Sequence, residues 1–186
     1  TFLLDHVAAE MVDRLSVVRR SFALAADIGT PTAALRNLMR ERNVAQTIIG
    51  VDALAVSGVK ADEEALPFAD GSLDLAVSAL SLQWVNDLPG TLAQIRRALR
   101  SDGLFMAALL GGDTLSELRQ SFAAAEAELE GGMSPRVAPF ADVRELGALL
   151  QRAGLALPVA DVDRLTVRYA SPFDLMADLR GMGATN

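Results

Sequence analysis

The sequence predicts an α/β fold in which a three-layer, doubly wound, mostly parallel sheet is covered by helices on both faces. Two observations predict it. Strand and helix patterns alternate along the chain, which is typical of a parallel sheet, and three successive strand patterns end in acidic residues, at the edge where such sheets bind ligands. The 186 residues contain no linker-like stretch, so a single domain over residues 1–186 is predicted.

The first half of the chain shows an amphipathic helix followed by strands. Helical segments have apolar residues every three or four positions, whereas strand segments alternate or are short β-branched runs. Thr30 suits the N-cap of a helix and Pro31 its first turn. The predicted elements are a helix over 2–18 that precedes the core of residues 21–186, a strand over 21–28, a helix from Thr30 to Arg42, and strands over 47–51 and 58–61.

The second half continues the alternation and then becomes more helical. Its predicted elements are a strand over 72–80, a helix over 88–99, a strand over 104–110 entered through a turn at 101–103, helices over 114–129 and 141–153, a strand region over 155–169, and a helix over 172–180. Since the sequence stops after a helix, we expect the sheet to lack a final antiparallel strand.

Composition and charge exclude several classes of protein. The chain has no cysteine and a single histidine, His6, which argues against disulfides, cysteine nucleophiles and metal sites. A net charge of −7 argues against a nucleic-acid partner. The longest apolar stretch, residues 103–112, is too short to span a bilayer, and no leader opens the chain. We therefore expect a cytoplasmic protein without a membrane anchor.

Acidic residues at three strand ends predict a nucleoside site. Asp27 ends the first strand and is followed by Gly29 and a helix start, a turn that presents backbone N–H groups to a ligand. By itself Asp27 fits a helix-entry residue equally well. Asp52 ends the second strand, where a carboxylate can accept both hydroxyls of a ribose. Asp62 follows the third strand and can accept the exocyclic amine of adenine. The order of the three predicts one adenosine-containing cofactor.

Four motifs carry a resemblance to a known family. ADEEALPF at residues 61–68 and SLDLAVS at residues 72–78 resemble the type 11 group of the class I S-adenosylmethionine-dependent methyltransferases. More narrowly, QWVNDLP at residues 83–89 and GGDTL at residues 111–115 are similar to the mitochondrial complex I assembly factor 5 family. The bacterial relatives of that family include the malonyl carrier-protein methyltransferase of biotin synthesis. The similarity covers essentially the whole chain.

The resemblance implies a Rossmann-like methyltransferase that binds S-adenosylmethionine and acts on a small-molecule or protein acceptor. We name no catalytic residue. The cofactor residues expected from it are Asp27, Gly29, Thr30, Asp52, Asp62, Glu63 and Ser78, and the candidate acceptor residues are Gln83, Trp84 and Asp113. Two of the acceptor candidates also have structural interpretations: Trp84 could be core packing, and Asp113 could be a helix N-cap, the interpretation that we favour for it.

The sequence departs from the family pattern in two places. DIG at residues 27–29 is followed by TPTA at residues 30–33, without the two later glycines that allow close approach to the amino-acid end of the cofactor. Only ten residues separate Asp52 from Asp62, whereas a crossover between parallel strands needs about a dozen or more. We expect short stretches to be missing from the sequence in both places, around the first loop and after Leu54.

Three functions are compatible with these features. The main prediction is an S-adenosylmethionine-dependent methyltransferase. The narrower resemblance implies an assembly factor that modifies a subunit of respiratory complex I, with arginine hydroxylation as its activity. The missing glycines favour a third function, a non-catalytic interaction module that kept the fold.

Overall fold

Five strands pair in one parallel sheet, in the order β3-β2-β1-β4-β5. They are β1 (Phe22–Ile28), β2 (Ala45–Asp52), β3 (Val59–Lys60), β4 (Leu73–Ala79) and β5 (Leu99–Ala108). From β1 the chain adds strands on one side, ending with the outer strand β3, and from β4 it adds β5 on the other side. The strand order therefore reverses between β1 and β4, which lie side by side. In sheets of this kind ligands bind at the carboxyl ends of the strands beside that point.

Six α-helices accompany the sheet in this computed structural model, which describes residues 2–54, 58–129, 131–132, 134 and 136–182. They are α1 (Phe2–Ser16), α2 (Ala34–Glu41), α3 (Leu88–Ala98), α4 (Ser116–Leu129), α5 (Val143–Arg152) and α6 (Pro172–Gly181), with a short 3₁₀ helix at Leu82–Trp84. The chain divides into two compact units. The first comprises Thr1–Leu109 and Gly147–Val159 and contains the sheet; the second comprises Leu110–Leu146 and Ala160–Asn186.

Helices bury both faces of the sheet. Every residue of β4 is buried, as expected for a central parallel strand. Helix α1 packs against α2 and contacts β4 and β5, while α3 packs on β5. Because right-handed crossovers lead to β2 and β5 in opposite directions, α2 and α3 lie on opposite faces. Ile95 and Ala98 of α3 pack in one cluster with Ala26 and Ile28 of β1. The predicted doubly wound α/β fold is confirmed.

The start of α2 is a correction to the sequence prediction. The helix begins at Ala34, not at Thr30 or Pro31. Thr30 does not cap it, because the Thr30 hydroxyl is buried and bonded to Asp27 and to the backbone of Ala79. The residues between Gly29 and α2 therefore form a loop at the end of β1.

The beginning of β5 also differs from the prediction. The expected turn at 101–103 lies inside the strand, which starts at Leu99. Leu73 of β4 pairs with Leu99 of β5, and Leu75 of β4 pairs with Leu104 of β5. Two positions on β4 therefore correspond to five positions on β5. The extra residues on β5 are absorbed by an irregularity in the strand, which is why they carry a turn-like sequence.

The strand predicted over 155–169 is wrong. These residues form no strand in the structure, and Leu157 and Val159 are 93% and 86% exposed. An alternating apolar pattern becomes a strand only where a neighbouring strand accepts its backbone hydrogen bonds. Among the described residues there is also no antiparallel strand. Helix α1 ends at Ser16, two residues before the predicted boundary.

Candidate functional site

The carboxyl ends of β1, β2 and β3 place acidic side chains along one edge of the sheet. Asp27 lies one residue before the end of β1, Asp52 ends β2, and Asp62 and Glu63 follow β3. The negative charge of Asp52 raises the pKa of both Asp27 and Glu63, and that of Asp62 raises the pKa of Glu63. Asp52 therefore lies within electrostatic reach of both Asp27 and Glu63, and Glu63 lies within reach of Asp62. The sequence predicts that Asp27, Asp52 and Asp62 lie at strand ends, and the structure places all three there.

Asp27 is the buried centre of a small network. Its side chain is fully buried and accepts a short hydrogen bond from the hydroxyl of Thr30. Its second oxygen, Oδ2, lies 2.7 Å from Nη1 of Arg36. The same Thr30 Oγ1 accepts a hydrogen bond from the backbone N–H of Ala79, at 3.0 Å. One threonine hydroxyl thus connects β1 to β4 at the point where the strand order reverses.

Arg36 is a site residue that sequence reasoning missed. It lies in the first turn of α2, and its side chain is only 14% exposed. The guanidinium carbon lies over Gly50 of β2, 3.0 Å from the position that a Cβ of residue 50 would take. The signal was Gly50 itself, because a glycine inside an apolar β-branched strand often marks the close approach of another group.

The pKa of Asp27 predicts how the stability of the fold depends on pH. Burial raises this pKa from 3.8 to about 6, although hydrogen bonds from Thr30 and Arg36 and the charge of Arg36 oppose the shift. The folded protein therefore binds this proton more tightly than the unfolded chain does. The resulting stabilisation is full below pH 3.8 and is lost as the pH rises through about 6.

We expect the contribution of Asp27 to the free energy of unfolding to fall by about 2 kcal/mol between pH 4 and pH 7. Asp27→Asn cannot titrate, so urea unfolding of both proteins across this range isolates the contribution: the wild-type value minus the variant value falls as the pH rises. A difference that grows with pH would mean that pairing with Arg36 outweighs burial.

Gly29 turns the chain at the end of β1 in a left-handed conformation, with φ +71°. Its N–H donates to the carbonyl of Val51, at 2.7 Å. A Cβ built on Gly29 would lie 2.6 Å from Oε1 of Glu63 and closer still to Oγ of Ser81. The buried Ser81, which directly follows the left-handed Leu80, is a second neighbour that sequence reasoning did not place at the site.

Gly29→Ala is expected to destabilise the fold by about 3 kcal/mol, because it combines a strained φ with overlap of two neighbouring side chains. Gly71→Ala is the matched control. Gly71 also has a positive φ, of +62°, but a Cβ there meets nothing within 4 Å, so its expected cost is about 1 kcal/mol. Urea unfolding measures both. Equal losses would show that Ser81 and Glu63 do not crowd residue 29.

Asp52 and Asp62 present oxygens that the fold only partly uses. Asp52 Oδ1 accepts the N–H of Leu54 at 2.6 Å, and Asp62 Oδ1 accepts the N–H of Glu64 at 2.8 Å. Asp52 is partly exposed and Asp62 exposed. The pKa of Glu63 is raised, first by burial and then by the charges of Asp52, Asp62 and Glu64. The segment 55–57 that follows Leu54, where we expect missing residues, lies outside the described residues.

Ser78 and Gln83 are placed differently from these acids. Ser78 is fully buried in β4. Because it lies two residues after Ala76, its side chain is on the sheet face that packs against α3. Asp27, which lies between Ala26 and Ile28 in β1, is on the other face. In the part of the chain that the structure describes, neither Ser78 Oγ nor the buried Gln83 Oε1 has a hydrogen-bond partner. A buried carbonyl oxygen of this kind can accept an N–H or O–H from a ligand.

The structure does not support the structural interpretations offered for Trp84, as core packing, and for Asp113, as a helix N-cap. Trp84 is 42% exposed, so core packing is not its role. Asp113, in the second unit, is not the N-cap of α4, because that helix begins at Ser116. Its carboxylate instead lies 3.1 Å from Nη2 of Arg164, in an exposed ion pair. The N-cap prediction for Asp113 is wrong because the chain makes an additional turn before the helix.

The chemistry of the acids fits the adenosyl half of S-adenosylmethionine. Ionised carboxylates only accept hydrogen bonds, and a ribose offers two hydroxyl donors and adenine an amine donor. Partly exposed carboxylates at the strand ends match those donors. The loop after β1 is less well supplied, because the Gly29 N–H is used within the sheet and Pro31 has no N–H.

A parallel sheet of this order, with acidic strand ends beside the reversal point, is the architecture of nucleotide-cofactor enzymes. Comparisons with known proteins narrow the class. The methyltransferase domain family matches residues 26–107. The mitochondrial arginine-hydroxylase NDUFAF5 of Rattus norvegicus is 43% identical over 196 residues, covering 100% of this chain and 57% of that protein. The malonyl-[acyl-carrier protein] O-methyltransferase of Laribacter hongkongensis is 37% identical over 204 residues, covering 97% of this chain and 67% of that protein.

Solved structures agree on the fold. The S-adenosylmethionine-dependent methyltransferase of Thermotoga maritima has a TM-score of 0.59 at 19% identity, covering 82% of this chain and 73% of its own. That of Aquifex aeolicus has a TM-score of 0.54 at 13% identity, covering 79% and 78%. At such identities the likeness shows the fold alone.

The chain belongs to the class I S-adenosylmethionine-dependent methyltransferases of the type 11 group, as the resemblance predicted. It spans 57% of the length of the rat, mouse and human relatives. The alignments with these relatives run over 196 residues against the 186 of this chain, so the relatives contain residues that have no counterpart here.

Two further features are absent from the described residues. None of the described helices is long and apolar enough to cross a membrane. Within the same residues, no group of three histidine, aspartate or glutamate side chains is arranged to hold a metal ion.

Proposed function

We propose that this chain binds S-adenosylmethionine at the carboxyl ends of β1, β2 and β3 and transfers its methyl group to a small-molecule or protein acceptor. The observation that carries the proposal is the row of acidic side chains at the carboxyl ends of three adjacent strands, of which Asp52 is partly exposed and Asp62 exposed. In it Asp52 accepts the ribose hydroxyls and Asp62 the adenine amine. Gly29 and Glu63 continue the site towards β4, and the buried Asp27 and Thr30 support the loop beneath it.

When bound, the cofactor supplies a methyl group that is already electrophilic because it is attached to a sulfonium. The protein has then to hold the acceptor in line and exclude water. Gln83, whose buried Oε1 lacks a partner among the described residues, is proposed to accept a hydrogen bond from the acceptor. The exposed ring of Trp84 next to it offers an apolar surface for the same molecule. Ser78 and Asp113 remain predicted site residues.

The test is methyl transfer measured by mass spectrometry with S-adenosylmethionine present. Malonyl carrier protein is the first acceptor to try, because a relative that is 37% identical is named for acting on it. A gain of one CH₂ on the acceptor supports methyl transfer. A folded chain that binds no cofactor in calorimetry would select the non-catalytic interaction module.

A second candidate function is arginine hydroxylation of a respiratory complex I subunit, which would need molecular oxygen as the oxidant and an external two-electron reductant, with the second oxygen atom leaving as water. It is favoured by the rat, mouse and human relatives, which are 43%, 44% and 43% identical and are named arginine-hydroxylases. The same mass measurement on a candidate protein partner separates the two activities. Hydroxylation increases the mass by one oxygen atom, whereas methyl transfer increases it by one CH₂.

The compartment stays a prediction. The absence of cysteine led us to expect the cytoplasm, whereas the rat and human relatives carry the word mitochondrial in their names. Imaging of the tagged full-length protein decides between the two. The net charge of −7 supports a small molecule or protein as the partner and argues against nucleic acid.

A further inference from the structure

The loop between β1 and α2, residues 29–33, contains no basic side chain for the carboxylate at the methionyl end of the cofactor. The N–H of Gly29 donates to Val51 within the sheet. Pro31 has no N–H, and the Thr30 hydroxyl already donates to Asp27. Glycine-rich loops bind anionic groups through close backbone approach, but the two later glycines are replaced here by Pro31 and Ala33. A cation beside this loop would strengthen the binding of a carboxylate there.

Arg36 is placed to supply it. Its guanidinium sits against Asp27, three residues after the end of the loop. Among the described residues its single hydrogen bond is the one from Nη1 to Asp27 Oδ2. Because Nε packs over Gly50, Nη2 is the nitrogen that keeps N–H donors for a second carboxylate. The ion pair with Asp27 and packing over the backbone of Gly50 hold the side chain in place, and 14% of it remains exposed. A planar guanidinium with spare donors is well suited to a carboxylate.

We propose that Arg36 binds the carboxylate of the cofactor's methionyl end. This rests on the proposed function, because it requires the adenosyl half to bind at the acidic strand ends. Asp27 then acts as a positioning residue that fixes the guanidinium. The rival interpretation is that Arg36 only neutralises Asp27.

Two ligands separate these interpretations. S-adenosylhomocysteine and 5′-methylthioadenosine share the adenosyl thioether, but only the first carries the amino-acid carboxylate and ammonium. For Arg36→Gln, calorimetry is expected to show binding of S-adenosylhomocysteine weakened by about 30-fold and binding of methylthioadenosine changed by less than about twofold. Arg36→Lys keeps the charge without the planar fork and is expected to fall between these values.

Arg40→Gln is the matched control. Arg40 lies on the same helix and is exposed, and within the described residues its guanidinium bonds only the side chain of Asn37, so both affinities are expected to stay unchanged. Equal weakening of both ligands by Arg36→Gln would show a structural role and overturn the proposal, and so would no weakening of either. If the variant does not fold, nitrogen NMR of the wild-type protein serves instead. The Arg36 Nε–H signal is expected to shift with S-adenosylhomocysteine and not with methylthioadenosine, and equal shifts would overturn the proposal.

The failure of this inference is distinguishable from that of the proposed function. Wild-type protein that binds methylthioadenosine, but binds S-adenosylhomocysteine no more tightly, retains the adenosyl site and refutes the role of Arg36. Wild-type protein that binds neither ligand refutes both.

Discussion

Asp52→Asn is expected to weaken the binding of S-adenosylmethionine by about 100-fold, the largest effect on binding that we predict. The asparagine keeps a carbonyl oxygen for the N–H of Leu54, so the turn after β2 persists. It replaces the other acceptor with an NH₂ donor, which cannot accept a ribose hydroxyl. Losing hydrogen bonds to a charged acceptor costs about 3 kcal/mol, which corresponds to about 100-fold in Kd. Isothermal calorimetry measures it.

Asp70→Asn is the control, because it removes the same charge from an exposed residue that pairs with Arg97. The affinity of this variant for the cofactor is expected to match that of the wild type. That result would exclude a general effect of net charge on cofactor binding. An Asp52→Asn protein with unchanged affinity and an unchanged urea midpoint would remove Asp52 from the site.

Thr30→Val is expected to lower the free energy of unfolding by about 3 kcal/mol, because it leaves two buried groups without a partner. The N–H of Ala79 loses its acceptor, and Asp27 loses a donor. Since the Thr30 hydrogen bond lowers the pKa of Asp27, the variant is also expected to raise that pKa further. Urea unfolding gives the first quantity, and a carboxyl NMR titration of Asp27 gives the second.

Thr30→Ser retains the hydroxyl and removes only a methyl group, so its expected loss is about 1 kcal/mol. Equal losses in the serine and valine variants would mean that the methyl group, and not the connection between β1 and β4, accounts for the contribution of Thr30.

Sequence patterns predicted the sheet and the positions of its acids well. Strand ends such as Asp52 are predictable because the alternation of strands and helices fixes a parallel sheet, whose carboxyl ends share one edge. The central strand β4 was also predictable, since a fully buried strand has a nearly continuous apolar sequence. These features depend on local pattern and on topology, which a single sequence records.

The remaining features depend on contacts between distant residues. Thr30 has the sequence of an N-cap, but the buried carboxylate of Asp27 and the free N–H of Ala79 compete for its hydroxyl. The sequence pattern around Arg36 is that of an exposed helix residue. Arg36 can lie against the sheet because Gly50 has no side chain to occupy that space. The apolar alternation of residues 155–169 predicts a strand, yet it specifies no partner strand.

A crystal structure grown with S-adenosylhomocysteine tests the central claim most directly. We predict that the two ribose hydroxyls lie within hydrogen-bond distance of the Asp52 carboxylate, with the adenine amine towards Asp62. Ligand density at another edge of the sheet, or a ribose that makes no contact with Asp52, would contradict the account.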